Sequence, residues 1–582
     1  MASLDAQLHG DSAPVIEKWH LWLAGVVALV AGACSLWVAL RQYGPTVHPD
    51  EWGFLLNGQV IVGHAEAQVP TGSFYPAGFG VITGAFALLT GSMSGEYRAT
   101  LLANFALCVA VGLLAQRVAR RVFGASVRMS WIAAALAFVV PGTVVSSLYA
   151  WPETAARAVF LLFVLGFHRT AETRKPSHVI ALGLLVGFMP VLHGRFTLLL
   201  PVACGVILWW GWRRVIPRTV AFVACAASSV SYLAGRSLNA LVKRELYVQA
   251  WGQEDRLLKR ITNPSLWPAL VRTMTGQSWY LIVTTCGLFA VAGFFAWHRA
   301  RNGSLVSAAT DARRLTVLVV ATGTVLLVFT GGLQLLYGSR GDHLVYGRYV
   351  EILVPVLLVM ACAAFEQAPR VARRALLVSA VASLAVAVFY VLIDMGDGVK
   401  GGWVRHNIVY PNIVGFDAVR YLVRPGLVTW GVAGLVVTAV VWAVARTRSG
   451  LAVVLVVVLS GVGSVWSMTH SLPGRTDNLE STVVIPAYVQ AHGGTVIGYD
   501  GQIPNDAMYY YLRYQLHPVQ VERLFASGPG LMAPGEGAPV PQAISCVVGF
   551  ADRPPSHGEW VIVADEATMF RVLWQRVGTD RC

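Results

Sequence analysis

The chain has 582 residues, of which 56% are hydrophobic and only 13% charged, and its mean hydropathy is +0.60. This composition excludes an ordinary soluble enzyme and indicates a polytopic membrane protein. The apolar runs are about 20 residues long, as α-helices crossing the bilayer require, whereas β-barrel strands are shorter and alternate. The formal charge of +14 lies in short basic clusters between apolar runs, so we expect no nucleic-acid partner.

Hydropathy predicts an all-α transmembrane domain over residues 20–470, with about thirteen helices and a cytoplasmic tail at 1–19. No small-residue cleavage site follows the first helix, so we expect it to be retained. Basic clusters fall on every second loop, which the positive-inside rule assigns to the cytoplasm of a plasma (inner) membrane protein. The predicted helices lie near 20–40, 98–117, 130–149, 156–168, 178–193, 196–212, 219–238, 278–297, 315–337, 350–366, 375–393, 426–445 and 451–470.

Residues 74–93 (FYPAGFGVITGAFALLTGSM) are apolar enough to span the membrane. Counting them as a span would place the arginine cluster at 117–128 outside, against the positive-inside rule. We therefore expect a re-entrant or interfacial segment within the first outer loop, 41–97. The polar region after residue 470 then lies outside the cytoplasm, on the side of that loop.

Residues 471–582 are predicted to form a small extracytoplasmic α/β domain. Cys546 and Cys582 share this region and could form a disulfide there. The other six cysteines lie in apolar segments and are interpreted as packing residues. The predicted elements of the domain are strands at 495–500 and 559–565 and helices at 505–516 and 566–577.

The predicted outer loops carry charged side chains beside helix ends. The first loop holds His48-Pro49-Asp50-Glu51, and adjacent carboxylates at a membrane surface are costly unless they have a function. The remaining charged residues on the same predicted side are Glu153, His193, Arg195, His343, Arg348 and Glu351, with Lys243 and Arg244 in a long basic loop.

Carboxylates beside several cations at a lipid boundary favour group transfer from a lipid-linked phosphate donor. A phosphate ester leaves without a proton donor, so the site needs arginine or histidine to stabilise the departing charge. One carboxylate must accept the proton of an attacking hydroxyl. Either Asp50 or Glu51 would supply that base.

Each of these residues also has a structural interpretation. Asp50 and Glu51 can cap an interfacial helix, and Glu153 after proline can begin another. Arg195 and Arg348 can extend from helix ends to the interface. These alternatives stand beside the catalytic interpretation.

Patterns that bind metals or nucleotides are weak in the sequence. His48 and His64 are too loosely spaced around Asp50 to favour a metal site. No Walker motif, GxGxxG loop after a strand or CxxC pair occurs, which disfavours an ATP-driven pump or a redox carrier. We expect no required cofactor, although a divalent metal stays open.

Five segments, in this order, carry a family resemblance: HPDEWGFLLNGQVIVGH, FYPAGFGVITGAFALLTGSMSGEYR, YAWPETAARAVFLLFVLGFHR, LHGRFTLLLP and YGRYVEILVPVLLV. They combine a first-loop acid, a juxtamembrane stretch ending at Arg98, an acid entering a helix, and arginines before proline-containing helices. Over roughly residues 20–470 the chain resembles the GT-C superfamily of polyprenyl-phosphate-sugar-dependent glycosyltransferases, especially its protein O-mannosyltransferase and aminoarabinose transferase branch.

The resemblance implies an inverting transfer in which a first-loop acid deprotonates the acceptor hydroxyl. Pro152 stands where related proteins often have a serine, which weakens the role of Glu153. No metal is implied. The implied roles are Asp50 as base; Glu51 to position the acceptor or share the role of base; Glu153 and His48 for acceptor contact or support; and Arg195, His343, Arg348, Lys243 and Arg244 for the donor phosphate.

The implied partners are a lipid-linked sugar donor, the bilayer, and a glycan, lipid or protein acceptor. A lipid-linked glycan transporter or flippase is the main alternative, but it would place charges at mid-membrane depth rather than at helix mouths. A polymer ligase would use an outer loop rich in arginine and histidine without needing the early acid pair.

Overall fold

A computed structural model of the chain describes most of its residues, in two compact units. Unit 1 comprises Met1–Ala39, Leu102–Asn239 and Glu254–Ser471, and unit 2 comprises Leu40–Leu101, Ala240–Gln253 and Leu472–Cys582. The described residues are 16–42, 44–45, 49–63, 74–246, 257, 259–301, 311–336, 344–392, 427–472, 484–503, 506–516, 519–524, 540–566 and 571–582.

The described chain is mostly helical, with a small sheet near its carboxyl end. The helices are α1 Lys18–Arg41, α2 Pro49–Ile61, α3 Gly80–Thr90, α4 Met93–Arg121, α5 Val127–Val139, α6 Glu153–Thr173, α7 Pro176–Leu192, α8 Leu199–Trp212, α9 Arg218–Leu246, α10 Trp267–Thr284, α11 Leu288–Arg301, α12 Ala312–Gln334, α13 Val354–Gln367, α14 Pro369–Leu392, α15 Leu427–Thr447, α16 Ser449–Trp466, α17 Val484–Ala491 and α18 Asp506–Leu516. The strands are β1 Val496–Asp500, β2 Gln520–Leu524, β3 Cys546–Gly549, β4 Trp560–Glu566 and β5 Arg571–Arg576.

Among the described residues, seven helices are long and apolar enough to cross a membrane, and nine spans result if each of two bent helix pairs counts as one. The chain is therefore a multi-pass membrane protein, but the predicted thirteen spans are not confirmed. Several predicted spans form helices that are short or carry buried charges, such as α13, with 14 residues, and α6, which begins at Glu153. Helices covered by other helices need neither the length nor the uniform apolarity of a lipid-facing span.

The two bent pairs break where the backbone cannot continue a helix. Pro141 follows α5, and the axis turns by 57° there. Between α10 and α11 the axis turns by 109° at Cys286 and Gly287, whose φ angles are 52° and 83°. A Cβ on Gly287 would lie 2.5 Å from the Ser379 hydroxyl oxygen, so this close approach requires glycine.

In unit 2, the predicted re-entrant segment forms the helix α3 packed against α2. Its 11 residues extend over roughly 16 Å, too short to cross the hydrocarbon alone. The two helices touch through glycine: a Cβ on Gly58 would lie 2.1 Å from the Thr83 hydroxyl oxygen and 2.6 Å from the Gly84 nitrogen. The short length agrees with an interfacial or re-entrant segment.

The carboxyl-terminal residues of unit 2 form a five-stranded sheet in the order β2-β1-β3-β5-β4. Strand β1 is parallel to β2 and β3, whereas β5 is antiparallel to β3 and β4. The predicted strands at 495–500 and 559–565 correspond to β1 and β4, and the predicted helix at 505–516 corresponds to α18.

The helix predicted at 566–577 is wrong, because Arg571–Arg576 forms the strand β5. Its backbone is paired on both sides, with β3 and with β4. The spacing of apolar residues in so short a run is compatible with a helix and with a strand. Hydrogen bonding to β3 and β4 therefore determined that this segment is a strand. Strands β2 and β3, which were not predicted, are only five and four residues long.

The two cysteines of this domain form the disulfide Cys546–Cys582, with the Cα atoms 5.0 Å apart. The bond joins the start of β3 to the last residue of the chain. It therefore ties the carboxyl terminus to a buried strand.

Replacing Cys582 with serine is expected to lower the free energy of unfolding of this domain by about 3–4 kcal/mol, because the bond closes a loop with a sequence separation of 36. Thermal unfolding and limited proteolysis of the full chain measure the effect. Cys34→Ala is the matched control, since Cys34 is a free cysteine. Equal protease resistance of Cys582→Ser and the control would contradict a stabilising role.

Candidate active site

A buried ion pair in unit 1 joins two of the residues selected from sequence. Glu153 is the first residue of α6, and Arg348 lies in the short 3-10 helix Gly347–Tyr349. The Arg348 Nε donates a hydrogen bond to the Glu153 Oε1 over 2.5 Å. The two residues are only 1% and 5% exposed, so the pair is shielded from water. Such pairs are weakly screened and strongly coupled.

His193 and Arg195 lie beside this pair. His193 joins α7 to the 3-10 helix Gly194–Leu198, and Arg195 is the second residue of that helix. The Arg195 Nη1 donates a hydrogen bond to the His193 Nε2 over 3.1 Å. The His193 Nε2 is 4.0 Å from the Glu153 Oε1. Burial, followed by the charges of Arg195 and Arg348, lowers the pKa of His193 well below its ordinary value. His193 is therefore neutral at ordinary pH and accepts from Arg195.

Aromatic rings hold the two guanidinium groups in place. The Arg195 Cζ lies 3.2 Å from the centroid of the Tyr349 ring, and the Arg348 Cζ lies 3.9 Å from the centroid of a Trp151 ring. The Trp151 side chain stacks on Tyr149 with a centroid distance of 4.3 Å. Stacking on an aromatic face fixes the plane of a guanidinium while its N–H groups stay able to donate.

A second buried pair, Arg157 and Glu351, continues the cluster. Arg157 lies four residues after Glu153 on α6, and its Nη2 is 3.6 Å from the Glu351 Oε2. The Arg157 Nη1 donates to the Ser146 hydroxyl over 2.6 Å, and the Tyr280 hydroxyl donates to the Glu351 Oε1. Sequence reasoning missed Arg157, although an arginine inside an apolar run is itself a signal of function. No sequence signal points to Tyr280.

These two pairs, together with His193 and Arg195, form what we call the ionic cluster: Glu153, Arg157, His193, Arg195, Arg348 and Glu351. Its three guanidiniums exceed its two carboxylates, which leaves one positive charge when His193 is neutral. Three side-chain atoms of the cluster are buried without a hydrogen-bond partner among the described residues: the Glu153 Oε2, the Arg157 Nη2 and the Arg195 Nε. Buried polar atoms without partners call for a ligand or water, and the excess charge favours an anion.

In unit 2, the first-loop acids lie in the first turn of α2, where the helix dipole also favours negative charge. The Tyr75 hydroxyl donates to the Asp50 Oδ1 over 2.5 Å, and Asp50 is half-buried. Glu51 is fully buried, and its Oε1 accepts from the Tyr97 hydroxyl over 3.3 Å. Asp50 is therefore the more accessible acid of the two.

A further buried acid, Glu96, lies in the first turn of α4. The Gln59 side-chain amide of α2 donates to its Oε2 over 3.1 Å. Asn57, also on α2, donates to the Tyr75 carbonyl over 2.9 Å and so positions the residue that contacts Asp50. None of these three side chains was selected from sequence, because their contacts join segments distant in the chain.

The remaining residues selected from sequence either lie in unit 2 or fall outside the described residues. Lys243 and Arg244 are exposed near the end of α9 in unit 2, and Arg244 pairs with Glu245 at 2.9 Å. His48 and His343 lie outside the described residues. Within the described ranges, no group of three or more His, Cys, Asp or Glu side chains is arranged to hold a metal.

No protein-family model matches the chain, and no curated protein matches it in sequence. Among solved structures, the chain is similar to ArnT from Cupriavidus metallidurans bound to undecaprenyl phosphate, with 15% identity and a TM-score of 0.55 over 96% of this chain and 98% of that one. The apo form of ArnT gives 16% identity and a TM-score of 0.52 over the same shares. An apo oligosaccharyltransferase from Archaeoglobus fulgidus gives 11% identity and 0.40, covering 92% of this chain and 70% of that one.

At such low identity, the match to ArnT establishes the fold. It covers nearly the whole of both chains, including the membrane helices and the carboxyl-terminal region. The resemblance predicted from the sequence is confirmed at the level of the fold, which is similar to that of ArnT.

Proposed function

We propose that the chain is a membrane glycosyltransferase that moves a sugar from a polyprenyl-phosphate donor to an acceptor hydroxyl, with inversion at the anomeric carbon. The observation that carries this proposal is the ionic cluster, with its excess positive charge and unpartnered buried atoms, in a chain with the fold of ArnT. One ArnT structure holds undecaprenyl phosphate. We infer a lipid-linked phosphate as the donor group here too.

In this proposal, Arg195 and Arg348 bind the donor phosphate. As the bond between the anomeric carbon and the phosphate oxygen breaks, negative charge grows on the phosphate, and guanidinium groups already fixed on aromatic rings stabilise it. Glu153 holds Arg348 in position through the 2.5 Å hydrogen bond. Arg157, on the next turn of α6, supports the cluster together with its partner Glu351 in the 3-10 helix Glu351–Leu353.

Asp50 is the proposed general base. The acceptor oxygen attacks the anomeric carbon, its proton passes to the Asp50 carboxylate, and polyprenyl phosphate leaves with the electron pair of the broken bond. The Tyr75 hydroxyl orients the Asp50 carboxylate. The full burial of Glu51 against Tyr97 favours a supporting role for that acid.

The proposed location of the chemistry is the extracytoplasmic face. The basic clusters lie on the loops at the other side of the membrane from the proposed site, and the positive-inside rule places those basic loops in the cytoplasm. The Cys546–Cys582 disulfide supports an extracytoplasmic carboxyl-terminal domain, since such bonds persist in oxidising compartments.

The test is transfer by the purified protein in liposomes, with radiolabelled polyprenyl-phospho-sugars and a panel of hydroxyl acceptors. We expect labelled product and free polyprenyl phosphate in equal amounts, because one bond is broken for each bond formed. Movement of intact donor between leaflets without bond cleavage would instead identify a transporter or flippase.

A further inference from the structure

A second polar site lies at the other end of α13 from the ionic cluster. The 14 residues of α13 extend over roughly 21 Å from Val354, just after Glu351, to Gln367. At Gln367, in unit 1, the ends of α4 and α11 and the beginning of α12 come together. They enclose a recess of about 130 Å³ that we call the basic recess.

The basic recess is lined by three arginines and one carboxylate: Arg299, Arg313, Arg314 and Asp311. The excess is two positive charges. Glu366 does not line the recess, and its carboxylate accepts hydrogen bonds from the Ser126 backbone N–H over 2.8 Å and from the Ser126 hydroxyl over 2.5 Å. The recess is therefore electropositive, and its volume accommodates a phosphate group.

Hydrogen bonds between the helix ends fix the frame of the recess. The Arg299 Nη2 donates to the Gln367 side-chain carbonyl, and the Gln367 amide donates to the Phe123 carbonyl. The Arg314 Nη2 donates to the Ala300 carbonyl over 2.7 Å, and its backbone N–H donates to the Asp311 Oδ1 over 3.0 Å. This frame exists before any ligand binds.

Arg313, one of the three arginines that line the recess, is exposed, and among the described residues no carboxylate lies within ion-pair distance of it. Its guanidinium covers Gly124, where an added Cβ would lie 3.1 Å from the Arg313 Nη1. Gly124 has a φ of 69°, a conformation that favours glycine, so the backbone after α4 leaves space for this guanidinium.

The surroundings of the recess have the composition of a membrane interface. On α11, the Arg301 Cζ lies 6.0 Å from the centroid of the exposed Trp297 ring, and the Arg299 Cζ lies 5.2 Å from that of Phe295. Tryptophan and arginine at helix ends are enriched at the level of lipid headgroups. The basic clusters favour the cytoplasmic leaflet, whose anionic lipids attract such groups.

We propose that the basic recess binds the phosphate of an anionic phospholipid headgroup in the cytoplasmic leaflet, at a site separate from the ionic cluster. Arg299 and Arg313 donate to the phosphate oxygens, and the fixed frame sets their spacing. The geometry of guanidinium suits this task, because its paired N–H groups match two phosphate oxygens.

The test compares lipid binding by wild type, Arg313→Gln and Arg299→Gln, in detergent and in nanodiscs. Native mass spectrometry and thermal unfolding are followed while phosphatidylglycerol or phosphatidylcholine is titrated. We expect phosphatidylglycerol to bind and to raise the Tm of wild type, and each variant to bind it about fivefold more weakly. The lipid-free Tm of Arg313→Gln is expected to equal that of wild type, since Arg313 is exposed and forms no ion pair with a described carboxylate.

Arg213→Gln is the matched control, because Arg213 is another exposed arginine at a helix end beside a tryptophan, 5.6 Å from the Trp212 ring, but lies outside the recess. It is expected to bind phosphatidylglycerol as wild type does. If Arg213→Gln and Arg313→Gln weakened phosphatidylglycerol binding equally, the lipid would be attracted by the general positive charge of the surface, and the proposed site would be wrong. If inorganic phosphate alone raised the Tm as much as phosphatidylglycerol does, the ligand would be free phosphate and not a lipid headgroup.

Discussion

Asp50→Asn is expected to lower the rate of sugar transfer by about 10²–10⁴-fold, while binding of the polyprenyl-phosphate donor is retained. Asparagine has nearly the shape of aspartate, and its amide oxygen can still accept the hydrogen bond that Tyr75 donates to Asp50. It cannot take up the proton of an attacking hydroxyl. The measurement is initial transfer rate together with direct binding of polyprenyl phosphate.

Two controls separate catalysis from folding in this experiment. Asp552→Asn makes the same chemical change at an exposed turn of unit 2 and is expected to leave transfer unchanged. Glu51→Gln changes the buried neighbour and is expected to affect stability more than Asp50→Asn does. Wild-type transfer by Asp50→Asn would remove Asp50 from the mechanism and leave its position in the first turn of α2 as a capping role.

Arg348→Gln is expected to destabilise the protein by about 3–5 kcal/mol and to abolish donor binding. The substitution leaves the Glu153 carboxylate buried without the guanidinium that donates to it over 2.5 Å. It also removes one of the two arginines proposed to bind phosphate. Chemical unfolding measures the first effect, and binding of polyprenyl phosphate measures the second.

The double variant Glu153→Gln, Arg348→Gln distinguishes the structural from the functional role of this pair. Removing both charges eliminates the uncompensated carboxylate, so stability is expected to recover in part. Donor binding is expected to stay lost, because the phosphate still lacks Arg348. Arg244→Gln, at an exposed ion pair, is the control for stability. Donor binding by the double variant at wild-type strength would exclude Arg348 from the phosphate site.

The charged motifs were visible in the sequence because they interrupt an apolar chain. Glu153, His193, Arg195 and Arg348 were each selected from a short motif, and the structure brings these four side chains together. The two partners of Glu351 were not selected from the sequence. Arg157 appeared as one charge within a helix, and Tyr280 as one of many aromatic residues, until the fold placed them against Glu351.

The carboxyl-terminal domain shows where local patterns lose their information. The strands β1 and β4 and the helix α18 were recognisable from their own residues. The segment that became β5 fits helical spacing as well, and only pairing with β3 and β4 made it a strand. The count of thirteen spans is not confirmed for a related reason: α6 and α13 are covered by other helices, so they need not have the length and uniform apolarity of a lipid-facing span.

The sequence by itself determined the membrane class, the GT-C resemblance and the presence of acids and arginines near predicted helix ends. Composition and charge position carry this information, because burying a charge in lipid is costly wherever it occurs. Only the tertiary structure decided which charges neutralise one another. It paired Arg348 with Glu153 and Arg157 with Glu351, left Arg195 in excess, and buried Glu51 while leaving Asp50 accessible. These outcomes depend on contacts between residues up to 195 positions apart, which local spacing does not encode.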